Sequence, residues 1–146
     1  RWNVVAFWAD VREWESFVRT AWPDEFGEDL ICHAVKGEGM SAGPIAWDMR
    51  SHAYQFAQAV ETCYSEIQQK AFTQDGDARV GEHVSNCRVN EFRGLISVKK
   101  ESPKSQKKID LAVRVIGARM LYRVVRASSE YADMSKPKKK AWGFIR

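Results

Sequence analysis

The strongest constraint on this chain is a row of seven apolar side chains. Ile45, Met49, Ala53, Phe56, Val60, Cys63 and Ile67 advance by three or four without a break, the spacing that places them on one face of an α-helix. The row predicts one long helix from residue 44 to about residue 70, with Pro44 in the first turn, where a proline costs no hydrogen bond. So long a stripe needs an apolar surface to lie on. Two short runs can supply it. Residues 4–9 are continuously apolar and rich in β-branched and aromatic types, so they read as a strand buried on both faces. Residues 30–35 read as a second strand, parallel to the first after a helical crossover. Between them Val11, Trp14, Val18 and Ala21 recur at helical spacing, and Pro23 is expected to close that helix.

Further along, Asp75-Gly76 makes a turn and Asp77 can cap a short helix reaching about Asn86. His83 and Asn86 share a face of it, with no nucleophile placed to make a catalytic triad, so a structural part is expected of both. Residues 89–98 read as a short hairpin about Arg93-Gly94, and a last helix runs from Leu111 to about Ser128 with Ile109, Val113, Ile116, Met120 and Val124 inward. His52 and the aromatics Trp47, Tyr54, Phe56 and Tyr64 read as packing residues. The elements together give a mixed α/β domain over residues 1–130, followed by a basic aromatic tail over residues 131–146.

Several classes of function drop out. The longest apolar run is far below the ~18 residues of a membrane span. No Gly-x-x-x-x-Gly-Lys-Ser/Thr loop is present, so no ATPase site is visible, although Lys36 to Gly43 holds three glycines in a flexible loop. Three separated cysteines, Cys32, Cys63 and Cys87, make no zinc motif and read as buried thiols. The net charge of +4 conceals a division: residues 1–98 carry 9 Lys/Arg against 15 Asp/Glu, whereas residues 99–146 carry 14 against 4. A polyanion would bind the second part.

Two acids stand out against this background. Asp10 ends the first strand, where ligands gather in open α/β sheets, and could equally cap the next helix. Asp110 follows the basic loop Lys99-Lys100-Glu101-Ser102-Pro103-Lys104-Ser105-Gln106-Lys107-Lys108 and is either a counter-ion to those lysines or a metal ligand. If the two converge at one edge of a sheet, like-charge repulsion calls for a cation between them, and hard oxygen donors favour Mg²⁺ or Mn²⁺. Two such ions suit phosphodiester hydrolysis, with Lys99, Lys100, Lys104, Lys107 and Lys108 as phosphate-backbone contacts.

Three stretches give this pattern a familiar form: Val4-Val5-Ala6-Phe7-Trp8-Ala9-Asp10 with Trp14 on the helix after it; Asp75-Gly76-Asp77-Ala78-Arg79 with His83-Val84-Ser85-Asn86; and Lys100 through Ala112. In this order the chain resembles the nuclease domain of the large terminase subunit of tailed bacteriophages. The resemblance implies a ribonuclease H-like fold, a mixed sheet flanked by helices, and a two-metal site cutting double-stranded concatemeric DNA. Asp10 and Asp110 would be catalytic metal ligands. It also implies an upstream ATPase domain, work in the host cytoplasm during phage assembly, and the portal protein and small terminase subunit as possible partners. A third acid of the family lies on an earlier strand that no residue here matches; Glu38, Asp48 and Asp75 have no spacing that marks a substitute. The expectation is little cutting by this stretch alone. The alternative is a non-catalytic DNA-binding or portal-docking module using the basic half; other ribonuclease H-like enzymes are disfavoured by the Lys100-to-Ala112 motif.

Overall fold

The computed structural model describes residues 3–34 and 43–134. The long apolar row is divided near its start. Ala46 lies beside Ala9 in a parallel bridge: the Ala9 N–H donates to the Ile45 carbonyl, and the Ala9 carbonyl accepts from the Trp47 N–H, both at 2.9 Å. Ile45 is fully buried there. An apolar pair four residues apart looks the same whether it belongs to a helix or to a strand followed by a turn, and Asp48 makes that turn. Its carboxylate accepts the Arg50 N–H at 2.9 Å, and its carbonyl accepts from the Ser51 hydroxyl at 3.0 Å and bonds His52 Nδ1 at 2.8 Å. Only then does helix α2 begin, Ala53–Gln68, burying Phe56, Ala57, Ala59, Val60 and Cys63. The expected start at Pro44 is therefore wrong by nine residues.

Residues 4–9 and 30–34 correct the sequence reading in the same region. Neither forms a regular strand, although the first is fixed at two points. Val5 accepts the Ile31 N–H at 3.0 Å and Ala9 holds the bridge just described. The backbone groups of Val4, Ala6 and Trp8 have no backbone partner among the described residues.

The helix expected before Pro23 also runs differently. Residues 15–16 are helical, a π-helical turn follows at Phe17–Ala21, and α1, Trp22–Phe26, continues into a 3₁₀ turn at Gly27–Asp29. Pro23 does not end the helix. It stands in the first turn of α1, where its missing N–H has no intrahelical duty. Gly27 lies so close to Pro44 that a Cβ on it would sit 3.2 Å from the proline ring, which locks this turn against the bridge region. Val11, Val18, Leu30, Ile45 and Ala46 form the resulting core cluster.

The remaining elements follow the sequence closely, except that on the last helix Val125 is buried and Val124, expected inward, is exposed. Asp77 accepts the Arg79 N–H at 2.9 Å and caps α3, Ala78–Ser85. Strands β1, Arg88–Phe92, and β2, Leu95–Lys99, pair antiparallel with Phe92 opposite Leu95, the one regular sheet among the described residues. Arg93 and Gly94 both take positive φ, 51° and 78°, as a two-residue hairpin turn of the right-handed sense requires. Helix α4, Asp110–Arg126, packs on α2 and α3, and α5, Ser129–Met134, leans on α4. A second core cluster joins Phe56, Ala59, Val60 and Cys63 of α2 to Ile116 of α4, with Met49, Phe72, Val98, Val113 and Met120 packed around it. The class is mixed α/β. No described helix is long and apolar enough to cross a membrane.

Candidate metal and nucleic-acid site

Asp110 occupies the first position of α4, and the structure resolves what surrounds it. The residue before it, Ile109, is buried and offers no side-chain cap, so the orphan amides of the helix start need acceptors from elsewhere. His83 of α3 provides one: its Nδ1 accepts the Leu111 N–H at 3.0 Å. Asn86, one turn on, donates its side-chain amide to the Lys108 carbonyl at 3.0 Å. The two residues expected to be structural thus fix the loop and the helix on either side of Asp110. Their spacing of three was the visible signal; the partner was not.

The lysines are not neutralised by Asp110. Glu101 pairs with one of them, Lys107, at 3.3 Å and with Arg88 at 3.5 Å. The Lys107 ammonium, hydrogen-bonded to Glu101 and backed by the charge of Arg88, holds this carboxyl below the ordinary glutamate range. Asp110 is exposed and makes no hydrogen bond or ion pair among the described residues. Asp110 is therefore not paired as a counter-ion to these lysines. Lys99, Lys104, Lys107 and Lys108 are exposed and Lys100 is half-buried. A turn from Ser102 to Ser105 and the Ser105 hydroxyl, which accepts the Lys107 N–H at 3.2 Å, shape the loop that carries them.

Asp10 is also exposed but differently held. It caps no helix, since helical structure begins only at Glu15; instead its Oδ1 accepts the Met49 N–H at 3.2 Å. Arg50 feels its charge but is bonded to Asp48, at 2.8 Å, and that pairing holds the Asp48 carboxyl at about 2. Beside Asp10, the Trp8 and Trp47 rings stack at 4.5 Å and His52 stacks on Trp47 at 4.0 Å. Both indole N–H groups are buried without an acceptor among the described residues. Asp10 and Asp110 are tied to one core by separate routes, the first through the Met49 backbone, the second through α4, whose Val113 and Ile116 share a cluster with the Met49 side chain.

As a metal centre this set is incomplete. Two aspartates are suitable donors for a hard divalent ion, but no group of three His, Cys, Asp or Glu comes together among the described residues. Of the possible substitutes, Asp48 is committed to Arg50, Asp75 accepts the Asp77 N–H at 3.1 Å, and Glu38 lies outside the described residues. The Gly-rich loop and the basic segment 135–146 likewise lie outside them. Cys32 and Cys63 are buried and Cys87 is half-buried, and burial pushes the Cys63 and Cys87 thiols up.

Comparison with known proteins gives a source for such a chain. It is 32% identical over 126 residues to a protein of Mycobacterium phage D29 named Gene 13 protein, and 32% identical over 124 residues to a Gene 13 protein of Mycobacterium phage L5. These matches cover 84% and 82% of this chain and 20% of each relative. The chain thus spans about a fifth of the length of the curated relatives it matches. No family description and no solved structure matches it.

Proposed function

We propose that this chain belongs to the nuclease region of a bacteriophage terminase large subunit, a ribonuclease H-like domain that cuts double-stranded concatemeric DNA with Mg²⁺ or Mn²⁺. The observation that carries the reading is the open carboxylate of Asp110. It stands at a helix start held by His83 and Asn86, beside a lysine loop in which Glu101 already pairs with Lys107. A carboxylate kept free among cations is what metal ligation needs and what a counter-ion lacks. Asp10 is the second ligand in this reading. The third is supplied by the longer polypeptide, as an acid on a strand pairing with the backbone of Val4, Ala6 and Trp8, which has no backbone partner among the described residues. The phage relatives support the setting, and their greater length leaves room for an upstream ATPase domain. Lys99, Lys100, Lys104, Lys107 and Lys108 would hold DNA phosphates without reading bases.

Supercoiled-plasmid cleavage in Mn²⁺ tests this. The longer polypeptide should nick and linearise DNA, and Asp10→Asn or Asp110→Asn should each lower the rate by at least about a hundredfold. The chain of 146 residues should cut weakly or not at all. Robust cutting that survives Asp110→Asn sinks the assignment. One observation favours a second reading, a non-catalytic DNA-binding or portal-docking module: the described residues bring no three metal donors together. In that case DNA binding falls steeply with salt, ignores Mg²⁺ and tolerates loss of either aspartate.

A further inference from the structure

An aromatic face on the opposite business of the chain, its acidic beginning, is unaccounted for by any role above. Phe7, Trp14 and Phe17 are 38%, 56% and 48% exposed, and all three rings lie against half-buried Trp22, at 5.6, 6.4 and 6.1 Å. Phe26, one turn beyond Trp22 on the same face, is 42% exposed. The π-helical turn builds this face. In a regular α-helix residues five apart point well away from each other, but here the Trp22 N–H donates to the Phe17 carbonyl and the two rings come together. The surroundings are acidic: residues 10–29 carry seven Asp/Glu against two Arg. Contiguous exposed aromatics with a charged rim are the anatomy of a binding surface.

We propose that this face docks residues 135–146 of the same chain. That segment combines Trp142, Phe144 and Ile145 with Lys136, Lys138, Lys139, Lys140 and Arg146, and it contains no acid. Its five cations oppose the excess of five acids in residues 10–29, and its aromatic side chains match the apolar centre between them. Twelve residues reach up to ~40 Å when extended, so the length sets no obstacle. The inference does not depend on the nuclease reading.

The test is titration of a synthetic peptide of residues 135–146 into the chain ending at residue 134, followed through the Trp14 and Trp22 indole N–H signals by NMR. Saturable shifts at these indoles are expected. Affinity should fall at least about tenfold when Trp142 and Phe144 of the peptide become alanine, and by a similar factor with Trp14→Ala/Phe17→Ser in the protein. Because both protein positions are exposed, an unchanged circular dichroism spectrum should accompany the loss; if it changes, Asp24→Lys/Glu25→Lys gives the same reading from the rim. In the chain of 146 residues the indoles should already show the bound shifts at every protein concentration. No shift at millimolar peptide, or equal binding by the peptide lacking its aromatics, overturns the proposal. So does a bound signal that appears only as the chain dimerises, which would assign the face to a second copy.

Discussion

Glu66 shows how much single side chains of α2 decide. Its carboxylate, only 16% exposed, accepts from Arg119 at 3.1 Å and Arg123 at 3.0 Å, and Arg119 also lies over the Phe72 ring at 4.6 Å. The Arg119 hydrogen bond, supported by Arg123 and opposed by burial, lowers the Glu66 pKa. A folded pKa below the unfolded one means a contribution that is complete above the ordinary carboxyl range and is lost as pH falls through the folded value. Glu66→Gln should therefore cost about 2 kcal/mol in urea unfolding at pH 7, and the gap to the parent should close as pH falls below the ordinary carboxyl range. His83 permits an equally direct check. His83→Ala leaves the Leu111 N–H without its acceptor, and should cost about 1 kcal/mol and speed hydrogen exchange at that amide, while His83→Asn keeps an acceptor and recovers much of both. Neither partnership was readable from the sequence. The periodicity of α4 placed Arg119 and Arg123 off the apolar face, but nothing in a linear pattern says that α2 offers a carboxylate to them.

At the scale of elements, legibility followed local chemistry. The hairpin, α3 and α4 were readable because their signals are contained in a few neighbouring residues: a glycine turn, an aspartate cap, a run of inward apolar positions. The first half misled because its apolar spacing is compatible with two conformations, and contacts across the chain chose between them. Ile45 and Met49 fit a helix stripe, yet backbone hydrogen bonds to Ala9 and Ala34 hold residues 44–47 out of a helix, and Asp48 then restarts the chain. Pro23 misled for a related reason, since a proline that ends one hydrogen-bond register can open the next. The hairpin carries its own prediction. Arg93 adopts a left-handed conformation that suits Asn or Gly better, and its stacking on Phe92 is loose, at 5.5 Å. Arg93→Asn should raise stability by about 0.5–1 kcal/mol in thermal or urea unfolding, whereas Gly94→Ala should lower it.

For the whole molecule, two core clusters share the work, and the smaller depends on Ile45, which is completely buried. Ile45→Ala should cost about 2–5 kcal/mol, enough to threaten a chain of ordinary stability. Amide exchange should rise first around residues 9, 34 and 47, whose backbone hydrogen bonds run beside that side chain. The basic loop carries a different lesson. Glu101 touches neither aspartate, yet it draws Lys107 and Arg88 to itself, so that Lys107 is engaged away from Asp110. It behaves as a decoy. Glu101→Gln would release a lysine three residues before Asp110, within reach of that carboxylate, and Mn²⁺-induced broadening of the Leu111 amide signal should weaken. A neutral substitution on a loop would then pass for the loss of a metal ligand.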